Sequence, residues 1–162
     1  MKLTSLLIAT TALLFISPFS QAHQEESEAH ASEAFVTAEL INPNTASADV
    51  IAAIPGMSAE LAQQVISGRP YATPSALNTV LKDSADESAL KTIYSVMFVK
   101  VDLNTGSNAD YQLIPSTLSA RHLAHEFEEY RPYSSLEQFS REMSKYVSAQ
   151  EVAFLRRYVV ID

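Results

Sequence analysis

From Ile41 onward, apolar residues recur at helical rather than alternating spacing, and turn-forming residues cut the pattern into short pieces. Leu61, Ala62, Val65 and Ile66 stand at i, i+1, i+4 and i+5, which is one face of a helix. A preceding helix carries Val50, Ile51 and Ile54, with Asn44 and Thr45 as caps, and Pro55-Gly56 turns the chain between the two. Gly68 ends the second helix as a residue free to take positive φ. Thr73-Pro74 opens a third, because Thr caps well and Pro suits a first turn; its apolar side is Leu77, Val80 and Leu81. Ser84 and Glu87 frame a capping box before a fourth, with Leu90, Ile93, Tyr94 and Met97 inward.

The same pattern is written twice. Ile41-Asn42-Pro43-Asn44-Thr45 lines up with Val101-Asp102-Leu103-Asn104-Thr105, Ile54-Pro55 with Ile114-Pro115, and Arg69-Pro70-Tyr71 with Arg131-Pro132-Tyr133. Ser84 pairs with Ser148, and Phe98 to Asp102 with Tyr158 to Asp162, which leaves the same offset at both ends and compensating insertions between. In the second copy Tyr111, Ile114, Leu118, Leu123, Phe127 and Tyr130 face inward, followed by Leu136, Phe139 and Met143 and then Val152, Leu155 and Tyr158. Capping boxes are predicted at Ser134/Glu137 and Ser148/Glu151. The β-branched runs Val99–Val101 and Val159–Ile161 are expected as extended connectors rather than a sheet.

The first 22 residues read as a secretory signal. Met1-Lys2 is positive, Leu6 to Ile16 is apolar, and Ser20-Gln21-Ala22 offers small residues for cleavage after Ala22. The apolar run is short of the ~20 residues a spanning helix needs. No membrane span remains once the signal is removed, and the protein is expected to be secreted or periplasmic. Residues 23–40 carry five glutamates and no Lys or Arg, an acidic flexible segment. Two units follow, 41–100 and 101–162. The whole chain holds 11 Lys+Arg against 19 Asp+Glu, a formal charge of −8, and no cysteine, which excludes disulfides and thiolate metal sites.

The first unit, "INPNTASADVIAAIPGMSAELAQQVI" followed by "RPYATPSAL", resembles the helix-hairpin-helix domain of the bacterial competence DNA receptor, the ComEA type; Val101 to Asp162 resembles it in a degenerate form. The resemblance implies an all-α fold, with two tandem helix-hairpin-helix units packed as a compact helical bundle. It implies a non-enzymatic binding module related to DNA uptake, with double-stranded DNA as partner. The phosphate would sit on Pro55, Gly56, Met57 and Ser58, where backbone N–H groups meet a helix N-terminus, with Arg69 as auxiliary.

Against that role, Ser58 stands where the family has a second glycine, Leu61 where it often has lysine, and Pro115-Ser116-Thr117-Leu118 has no glycine at all. An acidic chain also lacks the basic footprint of phosphate neutralisation. The alternative is a protein-protein interaction or structural module of the cell envelope that has lost DNA binding, its partner an envelope protein.

Arg69 and Arg131 read as helix C-terminal caps or partners of a local acid. His122, His125, Glu126 and Glu129 share one helical face, read as solvated and polar rather than a metal centre. No nucleophile elbow, glycine-rich phosphate loop or paired-carboxylate site is evident, so no enzyme activity, cofactor, metal or small-molecule substrate is expected.

Overall fold

A computed structural model describes residues 39–162, which fall within one folded unit; the predicted signal and most of the acidic segment lie outside the described residues. The expected helical bundle is what forms. The first half contains α1 (Ala48–Ala52), α2 (Ala59–Ser67), α3 (Pro74–Leu81) and α4 (Glu87–Val96). The second contains α5 (Asn108–Tyr111), α6 (Ala120–Glu129), α7 (Leu136–Met143) and α8 (Ala149–Leu155), closed by a 3-10 turn at Arg156–Tyr158. One core runs through both, with Ile51, Val65, Leu77, Leu81 and Ile93 fully buried in the first half and Tyr111, Leu123, Phe127, Phe139 and Leu155 in the second. Val50, expected inward, is 46% exposed.

The β-branched runs are not mere connectors. Val101–Asp102 (β1) pairs in parallel with Val159–Val160 (β2), and Ile41 bridges Met97 in the same sense. These ladders tie the start of each half to its own end, and they fix the repeat register. Since Ile41 corresponds to Val101, Met97 corresponds to Val159, two residues beyond the position the sequence offset selects. The helix caps agree: Thr73 matches Ser135 and Asp86 matches Ser148. The second copy thus keeps the two residues it gains before Arg131, and the compensating losses expected from the sequence do not occur. The gained residues fall at the corner and in the first turn after it, where α6 has ten residues and α2 nine.

Several local expectations change for identifiable reasons. The cap of α1 is Ser47, which accepts from Val50 N; Asn44 instead clamps Tyr71, accepting from its N–H at 2.7 Å and donating to its carbonyl at 2.9 Å. Asn104 does the same to Tyr133. Gly68 has a negative φ; it is glycine because a Cβ there would lie 2.4 Å from the Tyr71 hydroxyl. Asp86, not Ser84, caps α4, and Ser135, not Ser134, caps α7. Ser148 does cap α8, but the reciprocal capping box is found at Ser107 and Asp110 on α5.

Candidate functional site

The chain turns a corner between α1 and α2 at Pro55–Ser58, and between α5 and α6 at Pro115–Ser119. In the first corner Gly56 takes φ +86°, a left-handed conformation that only glycine adopts without strain. A Cβ on Gly56 would also meet the Ala89 side chain at 3.2 Å, so the corner rests on the start of α4. Met57 is buried and its N–H donates to Ile54 O at 2.9 Å. Ser58 caps α2, its hydroxyl oxygen accepting from Leu61 N at 3.1 Å. Pro55 is exposed, and Glu60 puts a negative charge in the first turn of α2, where an anion would have to bind.

The second corner spans the bend with one more residue and no positive φ. Its donors are occupied from within. Glu151, at the position equivalent to Ala89, accepts from the Ser116 hydroxyl and from Thr117 N, each at 2.8 Å. A third helix start is filled in the same manner. Asp110 accepts from Ser75 N at 3.0 Å and from the Ser75 hydroxyl at 2.6 Å, at the N-terminus of α3, while also bonding Ser107. Burial alone would raise the Asp110 carboxyl; the hydrogen bonds from Ser107 and Ser75 outweigh it and hold its pKa below the ordinary carboxylate value.

Arg69 does not join the corner. Its guanidinium donates to the carbonyls of Pro43 and Ala46, closing the turn before α1. Arg131 repeats this with Leu103 and Gly106 and lies over the Tyr111 ring, 5.0 Å from its centroid. Contrary to the expectation from their sequence position, neither arginine caps the preceding helix or meets an acid. Both are followed by cis prolines and by buried tyrosines. The structure therefore gathers Pro55, Gly56, Met57 and Ser58 at one corner and commits Arg69 to an internal clamp.

Two further features lie outside these corners. A hollow of about 560 Å³ runs between the halves, walled by Leu90 and Tyr94 on one side and Leu113, Pro115 and Leu118 on the other. On α6 the polar face is not uniformly solvated, for Glu126 is only 4% exposed.

Residues 41–96 match the family Type II secretion system (T2SS), protein K. No curated protein and no solved structure gives a match. The match overturns the resemblance to the competence DNA receptor, together with the DNA-uptake role and DNA partner drawn from it: the segment that carries that resemblance is the segment that matches a secretion-system family. The local chemistry agrees in part: donors of the second corner and of the α3 start are bound by the chain's own Glu151 and Asp110, and at the first corner Met57 N is bonded to Ile54 O while Glu60 adds a negative charge to the first turn of α2. The matched family is envelope-associated, and among the described residues no helix is long and apolar enough to cross a membrane.

The carboxylates that take up these donors, Glu151 at the second corner and Asp110 at the start of α3, are not marked by the sequence as tertiary contacts; Glu151 reads there only as part of a capping box. A partial signal exists for the clamps: Asn44 and Asn104 recur at one repeat position, as do Arg69 and Arg131.

Proposed function

We propose that this chain is an exported, non-enzymatic protein-interaction module that works with protein partners of a type II secretion assembly in the cell envelope. The observation that carries the reading is the match of residues 41–96 to protein K of that system. Three features support it. The predicted signal peptide would deliver the chain across the inner membrane, to the compartment where such partners are met. The second corner and the start of α3 are taken up by internal carboxylates, and Glu60 puts a negative charge in the first turn of α2, which favours a scaffold over an anion-binding site. The acidic surface disfavours nucleic acid and leaves protein as the natural partner class.

The test is site-specific photocrosslinking in the native host, with the crosslinker placed at exposed Val50 and Tyr146, followed by identification of the captured proteins. Adducts with type II secretion components are expected. A correctly exported, folded protein whose adducts contain none of them would overturn the reading. A parallel titration with duplex DNA at low salt is expected to give no saturable binding.

A further inference from the structure

We propose that Tyr130 and Tyr146 form a dityrosine site, an oxidative modification that joins the end of α6 to the connector between α7 and α8. The chain has seven tyrosines. Tyr71, Tyr94, Tyr111, Tyr133 and Tyr158 are buried. The two that reach solvent stand side by side: their hydroxyls share a hydrogen bond of 2.6 Å, and their ring centroids lie 6.4 Å apart at a tilt of 49°. Sixteen residues separate them in the chain, so it is the fold that pairs them.

Composition makes this pair the natural target of a one-electron oxidant. The chain has no cysteine and no tryptophan, the residue types that would compete for the oxidant. Among the described residues the methionines, Met57, Met97 and Met143, are buried. Removing an electron from a phenol makes it a strong acid, so a neighbouring group must take the proton. Tyr146 has one. Its bond to Tyr130, and then the Glu126 carboxylate beside it, hold its phenol above the ordinary pKa, so the ring starts protonated and next to a base. His122 Nε2 lies 3.0 Å from Glu126 Oε1 and is half exposed, which connects that carboxylate to water. Lys145 Nζ sits over the Tyr130 ring at 4.7 Å, and His122 meets the Tyr146 ring edge-on at 5.9 Å, so both rings are held in place.

The co-reactant is hydrogen peroxide acting through a haem peroxidase. One electron leaves each phenol, together with its hydroxyl proton. The two phenoxyl radicals carry spin on the ring carbons ortho to oxygen, and two of those carbons join. The hydrogen on each joined carbon then moves to the oxygen of its own ring and restores both phenols. The protein loses two hydrogens, and one peroxide becomes two waters. The new bond requires the rings to close from their 6.4 Å separation, and Tyr146 is the side able to move: it is 37% exposed, on a connector (144–148) of turns rather than helix. The link closes a loop in the unfolded chain as well as the folded one, and so favours the folded state.

The purified chain, at high dilution, is treated with a haem peroxidase and hydrogen peroxide, then followed by mass spectrometry and fluorescence. A monomer lighter by two hydrogens is expected, with blue dityrosine emission, a linked peptide pair containing Tyr130 and Tyr146, a raised Tm and a yield independent of protein concentration. Tyr130→Phe and Tyr146→Phe keep the rings and are expected to keep the parent's circular dichroism, yet each should lose the product and the Tm increase. Absence of dityrosine from the monomer, links that form only between chains, links that map to other tyrosines, or undiminished yield in either Phe variant would each overturn the site.

Discussion

Arg69 and Arg131 show how one residue's meaning changes once its partners are known. A lone basic residue beside a predicted phosphate loop invites a ligand contact, yet each guanidinium is spent on two backbone carbonyls of the turn that opens its own repeat. A guanidinium offers several donors in a fixed fork, which a lysine ammonium cannot reproduce. Arg69→Lys is therefore expected to cost about 1–3 kcal/mol in urea unfolding, and Arg131→Lys more, since it also loses the Tyr111 hydroxyl and ring. Unchanged midpoints in both variants would show that the clamp is incidental. Asp110 gives a pH dependence at the same scale. Its folded pKa lies below the unfolded value, so the native state holds fewer protons. Its contribution is present in full above about pH 4 and is lost as pH falls through the folded value. The fall in urea midpoint between about pH 5 and pH 2 should be shallower in Asp110→Asn than in the parent. Parallel slopes would remove Asp110 from the account.

Among elements, the two corners solve one problem in two ways. The first uses glycine at positive φ and rests on the small side chain of Ala89; the second adds a residue, needs no glycine, and is latched by Glu151 from the equivalent position. Glu151→Ala should free the second corner at a cost of about 1–2 kcal/mol and raise hydrogen exchange at Thr117. Exchange there that stays at the parent rate would mean the carboxylate holds nothing. Gly56→Ala should destabilise by about 1–3 kcal/mol through strain at φ +86° and the close approach to Ala89.

These pairs also mark the limit of what the sequence displays. The helical periodicity of Leu61, Ala62 and Val65, the Thr73-Pro74 start and the double Arg-Pro-Tyr are local signals, and the helices they announce form. The corner latch depends on Glu151, 34 residues from Thr117, and the α3 cap on Asp110, 35 residues from Ser75. Both acids stand in windows that also satisfy a capping pattern, so nothing local distinguishes a cap from a tertiary contact. Glu126 is hidden in the same way: its spacing with His122 reads as a solvated polar stripe, and only the packing around α6 shows that it is buried.

For the whole molecule, the question is whether two units of about 60 residues each stand alone. A chain of that size buries too little of its surface to be more than marginal, and here the halves share specific contacts as well as a core. Tyr158 reaches from the end of the second half into the first, its hydroxyl donating to the carbonyls of Tyr94 at 3.1 Å and Ser95 at 3.3 Å, its ring edge-on to Phe98 at 5.1 Å. Asp110 joins α5 to α3 elsewhere. A fully buried residue in that place belongs to both halves at once, so its removal should weaken both. Tyr158→Ala is expected to cost about 3–5 kcal/mol, and Tyr158→Phe, which keeps the ring and forfeits only the hydroxyl, about 1 kcal/mol. Unfolding should stay a single calorimetric transition in each, with the calorimetric and van't Hoff enthalpies equal. The decisive measurement is native-state hydrogen exchange in Tyr158→Ala. Amides of α2 and of α6 should lose protection together, by the same free energy. If α2 keeps the parent's protection while α6 loses it, the repeats fold as independent units and the shared core is only a contact between them.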